Sequence, residues 1–465
     1  MFSKNLLVKF AQRQLNLKIY FIGTVALYLK DSEDVLITKI KPMGLQIQKW
    51  VVVGGGFAGI QWIRAMENVS GIEIVLVDQH NYHFFPPLLY QVSTAFIEPS
   101  NISYPFRRLF RKQSNVRFFM GSLLSVHPEE SFIETNTGRL HYDGLILAMG
   151  TETNFYGLES VKRFGKSMKS IEEALELRNH LLLQLEQMVK LPEPEQAIAN
   201  VNIVISGGGA TGVELAGMLA ELGKHVGRKE YPELKNLSHA VYLIDAGPRL
   251  LAGMSPVASA EALRVLQNLG VQVLLNTSVA EAFEDRVKLS NGQEIATETL
   301  IWAAGVVAKP VPGLPNGCFG QGRRLLTDPF HRVLPFSNIF AIGDQALQIH
   351  EPHYPKGHPQ VAQVAIQQGL HLAEWVKRTA KGQKAAPFHY KDKGSMAIIS
   401  KYHAVADLKG NHFKGIFAWL LWLFVHIIPL VGFRNRIILA FNWFWAFFTN
   451  NSTLRLIIQK KTPGT

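Results

Sequence analysis

The chain has 465 residues, 47% of them hydrophobic, and a formal net charge of +12. That length predicts two or three domains with sizeable cores. It holds one cysteine, Cys318, which excludes a disulfide framework, an all-protein iron–sulfur cluster and a C-x-x-C redox pair. Any redox chemistry would therefore need an organic cofactor.

Residues 1–47 form an extension. A basic start (Lys4, Lys9, Arg13, Lys18) precedes an apolar run, Ile19 to Leu29, too short to span a bilayer and without a cleavage site after it. We expect synthesis to begin at Met43, the alternative being a short membrane-touching arm.

The organising stretch comes next. Val51, Val52 and Val53 run into Gly54-x-Gly56-x-x-Gly59, and a helix-permissive segment follows. The first Gly makes a tight turn, the second lets the backbone approach a pyrophosphate, and the third lets helix and strand pack. A second strand (71–77) ends in Asp78, at the distance past Gly59 where a ribose-binding carboxylate belongs. The Pro- and aromatic-rich stretch after Asp78 is predicted as a loop closing on an arginine-rich short helix (Arg107, Arg108, Arg111, Lys112) with a solvated basic face. A buried strand then leads into a turn at Gly150.

Helical periodicity covers 170–190 (Ile171, Leu175, Arg178, Leu182, Leu185), and a linker starts at Leu191. The opening pattern then recurs: a strand at 201–206, Gly207-x-Gly209-x-x-Gly212, a helix from Val213, and a strand ending in Asp245. Asp245 lies farther past Gly212 than Asp78 does past Gly59. The excess is assigned to a charged helix extension or loop at 223–238. Two fingerprints form an internal repeat and imply two dinucleotides. Asp245 would repel a 2′-phosphate, which favours NADH over NADPH, although Arg249 nearby leaves room for the phosphate. A further strand enters the small-residue turn at Gly305. Another delivers Gly343 and Asp344 to a helix start, where a carboxylate suits a flavin ribityl hydroxyl.

Past these, a helix is predicted from the region of Pro359, with Gln360, Gln363 and Gln367 on one face. Its positive end suits an anionic reduced flavin. The alternative is an uncharged face against another domain. His350, His353, His358 and Glu351 fit no metal spacing and read as a surface loop; no metal site is expected. From Leu408 to Thr465 the charged residues are all basic: Lys409, Lys414, Arg434, Arg436, Arg455, Lys460 and Lys461. Two apolar runs rich in Trp and Phe, 416–433 and 437–448, are separated by Arg434 and Arg436. They suit helices lying in a headgroup region, with a spanning helix at 416–433 left open. The basic charge is thus assigned to lipid, and no nucleic-acid motif is present.

The motifs V-V-G-G-G-F-A-G-I, N-Y-H-F-F-P-P-L-L-Y-Q-V-S-T, G-G-G-A-T-G-V-E-L-A-G, I-W-A-A-G-V, F-A-I-G-D and A-Q-V-A-I-Q-Q-G resemble the two-dinucleotide flavoproteins, and within them the type II, non-proton-pumping NADH:quinone oxidoreductases. The resemblance covers about residues 48–460 and departs at Met149, where Thr is commoner, and at Ala210, where Pro is commoner. It implies an α/β fold of two Rossmann-like domains, the NADH domain inserted in the FAD domain, plus C-terminal amphipathic membrane-attachment helices. The domains would run 48–155 and 319–390 for FAD, 156–318 for NADH, and 391–465 for membrane association. FAD binding falls on Gly54, Gly56, Phe57, Ala58, Gly59, Asp78, Leu123, Gly150, Gly343, Asp344, Ala362, Gln363 and Val364. NADH binding falls on Gly207, Gly209, Gly212, Asp245 and Gly305. Glu214 would couple the nicotinamide and flavin sites, an N-terminal helix acid serving the macrodipole being the alternative. Gln363 and Gln367 would line a site for a membrane quinone, ubiquinone or menaquinone. The implied setting is monotopic, on the cytoplasmic face of an inner or cytoplasmic membrane, with a homodimer expected. Rival readings are a disulfide reductase or sulfide:quinone oxidoreductase, which lack their cysteines here, a soluble reductase of a protein electron acceptor, and a non-catalytic membrane scaffold.

Overall fold

The computed structural model describes residues 47–190, 202–234, 240–449 and 455–457, with the backbone alone at 18–22, 25–29 and 35–38 and without the side chains of 224–229 and 446–449. The three N-terminal strands pair as an antiparallel meander. The expected linker at Leu191 lies outside the described residues.

In chain order the elements that position the site are β1 (Gln48–Val53), α1 (Phe57–Ala65), β2 (Ile72–Asp78), β3 (Val116–Met120), β4 (Gly144–Leu147) and α2 (Ile171–Met188). Then come β5 (Ile203–Ser206), α3 (Ala210–Lys229), β6 (Val241–Ile244), β7 (Gln272–Leu274), β8 (Thr299–Trp302), β9 (Ile339–Ala341) and α4 (Ala362–Ala380). The chain closes with β10 (Ser395–Ser400), β11 (His403–Leu408), β12 (Asn411–Lys414), α5 (Gly415–Ile427) and α6 (Phe433–Thr449).

Two parallel sheets result. The first has strand order β9-β4-β1-β2-β3 and the second β7-β6-β5-β8. β4 and β9 are neighbours although the whole second sheet lies between them in sequence, so the second domain is an insertion in the first. In β1, Trp50 and Val52 face one core while Val51 and Val53 face another, and all four are buried. A parallel strand covered on both faces needs such a continuous apolar run. Two short strands cross between the domains, Thr151–Thr153 antiparallel to Val306–Ala308.

α2 begins with a reciprocal cap: the Ser170 hydroxyl accepts from Glu173 N at 3.2 Å and the Glu173 carboxylate accepts from Ser170 N at 3.2 Å. The excess spacing before Asp245 is a helix extension, since α3 runs unbroken to Lys229. The stretch after Asp78, expected as a loop, holds regular elements and is largely buried. Its short strand Tyr82–Phe84 and helix Leu89–Ser93 bury Phe85, Leu88, Leu89, Tyr90 and Val92 in a core shared with Leu215 and Leu219 of α3 and with Trp419, Trp422 and Trp443 of α5 and α6. Its many apolar side chains outweigh the turn-forming prolines. The segment 350–358 is a surface loop, with Pro352, His353, Pro355 and Lys356 exposed, but two of its side chains turn inward: Glu351 and His358 are buried and bonded at 3.0 Å, and Glu351 accepts from Tyr390 N at 2.9 Å. A run of His with Glu looks polar in sequence, but paired side chains are readily buried.

Candidate functional site

The two glycine turns are copies in space. Gly54 (φ +106°) and Gly207 (φ +116°) both occupy the left-handed region. A Cβ on Gly54 would strike the Ala148 carbonyl, and one on Gly207 the Ala303 carbonyl. A Cβ on Gly59 would strike Gly54 O, and one on Gly212 would strike Gly207 O. Gly56 and Gly209 differ in kind: a side chain there would meet no protein atom within 4 Å. These two face the open cradle, where a pyrophosphate approaches the helix N-terminus.

Each cradle is locked by its acid. Asp78 accepts from Gly55 N at 2.7 Å and His80 N at 2.8 Å; burial pushes its pKa up, and those two bonds pull it back. Asp245 accepts from Gly208 N and, at 2.7 Å, from Gly247 N. Both carboxylates hold the turn as well as border the ribose position. Arg249 donates to Met254 O at 2.9 Å and Ala252 O at 2.7 Å. Its guanidinium is therefore engaged with its own loop.

The first cradle has further walls. His83 Nδ1 donates to Gly55 O at 3.0 Å, and burial lowers this ring's pKa to about 4, so it is neutral. Gly343 (φ +68°) donates its N–H to Gln368 Oε1 at 2.7 Å. Asp344 follows; burial raises its pKa, while the charges of Lys169 and Arg324 and a bond from Thr151 oppose the rise. Gln345 donates to Gly150 O at 2.8 Å and Lys309 O at 3.1 Å, and its buried Oε1 finds no donor among the described residues. α4 starts without a side-chain cap. Its Gly369 touches Ala58 of α1 so closely that a Cβ would strike the Ala58 carbonyl, which fixes the helix's position against the cradle. An unlined glycine edge, an orphaned acceptor and an uncapped helix end suit a flavin dinucleotide. Lys169, Arg324, Gln345 and Gln368 were not legible as site residues; only the three-dimensional fold gathers them.

α4 begins at Ala362, so Gln360 precedes it and donates instead to Asp344 O at 3.0 Å. The reason is that Val361 is extended and serves as the N-cap. Gln363 and Gln367 do share a face, but it first pins another segment. Gln363 donates to Gly394 O at 3.0 Å and accepts from Lys393 N at 3.1 Å; Gln367 bonds both backbone groups of Lys391, at 2.9 and 3.0 Å. Glu214 is no helix-end acid. It lies buried against β10, accepts from Ile398 N at 3.3 Å, and has its pKa raised to about 8 by burial.

The C-terminal unit docks on the second domain. A Cβ on Gly217 of α3 would strike Ile399 O, and Glu221 accepts from Lys401 N at 2.8 Å. α5, at 13 residues, is about 20 Å long against a hydrocarbon core of about 30 Å. Among the described residues no helix is long and apolar enough to cross a membrane. Trp419, Trp422, Leu439 and Trp443 turn inward, while Phe417, Phe424, Ile428, Phe433, Phe441 and Trp445 are exposed. The pair is thus apolar outside as well as inside, rather than amphipathic in the usual sense.

Two nucleotide cradles on paired parallel sheets, with the second domain inserted in the first, define a two-dinucleotide oxidoreductase. The model of the pyridine nucleotide-disulphide oxidoreductase family matches residues 48–369, and that of the NDH2 C-terminal domain matches 392–450. The chain is 33% identical to a type II NADH:quinone oxidoreductase of Mycobacterium tuberculosis over 412 residues, 84% of this chain and 86% of that one. It is 28% identical to one of Haemophilus influenzae, covering 78% of this chain and 88% of that one. The structure of NDH2 from Plasmodium falciparum in complex with NADH superposes with a TM-score of 0.79 at 22% identity, covering 89% of this chain and 100% of that chain. The chain belongs to the type II NADH:quinone oxidoreductases.

Proposed function

We propose that this protein oxidises NADH through bound FAD and reduces a membrane quinone without pumping protons, as an entry point to a respiratory chain. The observation that carries this is the duplicated glycine–aspartate cradle, its two copies joined by the ribbon 151–153/306–308. The net reaction is NADH + H⁺ + quinone → NAD⁺ + quinol. FAD, when bound, supplies the hydride acceptor and the two-electron donor.

The chain's own groups bind, orient and exclude water. Gly54, Gly56, Phe57, Ala58, Gly59, Asp78, Leu123 and Gly150 would hold the nucleotide part of FAD, with Gly343 and Asp344 at the ribityl chain. The N-terminus of α4 at Ala362, Gln363 and Val364 would face the flavin ring with its positive end. Gly207, Gly209, Gly212, Asp245 and Gly305 would hold NADH. Glu214, its pKa raised to about 8 by burial, would be protonated at neutral pH, with Oε1 accepting from Ile398 N. It would sit between the two sites without adding a charge there.

The quinone would lie beside α4, where Gln363 and Gln367 hold Lys391–Gly394 as its wall and keep a second amide hydrogen each. We assign the domains as 48–155 with 319–390, 156–318 and 391–465. The exposed apolar face of α5 and α6 would rest in a bilayer surface, monotopically, on the cytoplasmic face, and a second copy of the chain would share it as a homodimer. That face argues against a soluble reductase of a protein acceptor.

The test is NADH oxidation by purified protein with and without a quinone analogue, together with the visible spectrum. Quinone-dependent turnover by a yellow protein is expected. A colourless protein, or turnover indifferent to quinone, would overturn the proposal.

A further inference from the structure

The internal repeat makes Gly150 and Gly305 equivalent. β4 pairs with β1 so that Leu147 opposes Val53, and β8 pairs with β5 so that Trp302 opposes Ser206. Counting on by the same number of residues from each gives Ala148 and Ala303, the carbonyls against which Gly54 and Gly207 pack, and then Gly150 and Gly305. Both turns lie at the carboxyl ends of parallel strands, where such folds bind their ligands. Yet the two positions differ. A side chain on Gly150 would meet nothing within 4 Å, whereas one on Gly305 would strike the hydroxyl of Tyr156.

Tyr156 is held as if deliberately. Its φ of +51° places a bulky residue in the left-handed region. Asn154 fixes the turn: its Oδ1 accepts from Tyr156 N at 2.9 Å, its N donates to Gly305 O at 3.1 Å, and its O accepts from the Trp302 indole at 2.8 Å. The phenol donates to Ala304 O at 3.2 Å, yet the side chain as a whole is 61% exposed. A large ring is thus aimed at the second cradle with one neutral hydrogen bond holding it and solvent on its other side.

We infer that Tyr156 is a movable cover on the NADH cradle, closed over Gly305 by its bond to Ala304 O and swung outward when nucleotide enters. The inference rests on the second cradle being the NADH site. It gives a physical difference between two cradles of the same make. The first is open at Gly150 and suits a cofactor that stays. The second carries a lid whose closed form competes with nucleotide and so hastens exchange of NAD⁺ for NADH. A site competent only part of the time binds more weakly by that fraction. One exposed neutral hydrogen bond corresponds to about a fivefold effect.

The test uses the full-length, FAD-loaded protein with Tyr156→Ala and Tyr156→Phe. Alanine bears the same left-handed backbone cost, so the turn's strain is unchanged. NAD⁺ affinity is measured by calorimetry, and the KM values for NADH and for a quinone analogue by steady-state kinetics. Tyr156→Ala is expected to tighten NAD⁺ and lower the NADH KM about fivefold, with FAD content and quinone KM unchanged. Tyr156→Phe, which keeps the ring and loses only its tether, is expected to move the same way by about the same factor, since that factor is the tether's, and decides the matter if the alanine variant misfolds. Unchanged or weakened NAD⁺ binding in a variant with full FAD content would overturn the cover. If wild type itself bound neither NAD⁺ nor NADH, the assignment of the second cradle would fall instead.

Discussion

The indole of Trp443 donates to the buried Oε1 of Gln91 at 2.9 Å, joining two helices from opposite ends of the described chain. Gln91 in turn donates to the Tyr90 hydroxyl at 3.1 Å, and Tyr90 lies in one buried core with Val213 and Leu215 of α3. The last helix is therefore tied through three buried side chains to the helix of the second cradle. Replacing Gln91 with Leu leaves the indole N–H unpaired in a dry place, at a cost of about 1–3 kcal/mol. The double replacement Gln91→Leu, Trp443→Phe removes both partners and should recover much of the loss. Thermal melts of the four proteins measure this. Equal, additive losses would show that the bond does not couple the two elements.

Stability should also follow the protonation of Glu214. Its folded pKa, about 8, lies above the ordinary 4.5 because burial disfavours the charge. Between those two values the native state holds a proton that the unfolded chain has released. The stability from this group is full below pH 4.5 and is lost as pH rises through 8, at about 1.4 kcal/mol per pH unit. Glu214→Gln keeps an acceptor for Ile398 N and removes the titration. The melting temperature of the variant should gain on wild type steadily from about pH 5 to about pH 7.5 and level off above pH 8. A constant gap across that range would contradict a buried, titrating carboxyl.

The glycines separate into two groups that mutation should resolve. Gly209→Ala adds a methyl that touches no protein atom, so the melt should be near normal while NADH KM rises tenfold or more and FAD content holds. Gly56→Ala should give the converse, a folded protein short of FAD. Gly212→Ala drives a methyl into Gly207 O and should instead destabilise the fold, by about 1–3 kcal/mol. The flavin-to-protein absorbance ratio and a melt distinguish all three.

Attachment to lipid should be removable without unfolding. Phe424 is 66% exposed and Phe441 59% exposed. Burying one such ring is worth about 1.5–3 kcal/mol, or roughly 10–100-fold in partitioning. Phe424→Asp should lower co-sedimentation with anionic vesicles by at least that factor and leave the melt and the NADH-dependent reduction of a water-soluble acceptor in place. Undiminished vesicle binding would show that lipid meets another surface.

Local pattern determined much of this molecule. The glycine spacing, the acids closing β2 and β6, the Ser170 cap and the apolar C-terminal runs each act over a short stretch, and local physics fixes them: a tight turn excludes Cβ, and a buried parallel strand must be apolar throughout. The tertiary structure decided what depends on distant partners. Gln363 and Gln367 were legible as one helix face, but their amides are directed by Lys391 and Gly394, which no helical period places. Glu214 was legible as an acid near a cradle, and its burial comes from β10, a strand of the C-terminal unit that lies beyond both cradles in sequence. Tyr156 gave no signal in sequence because its meaning lies in the backbone of Gly305, brought to it by two strands crossing between domains.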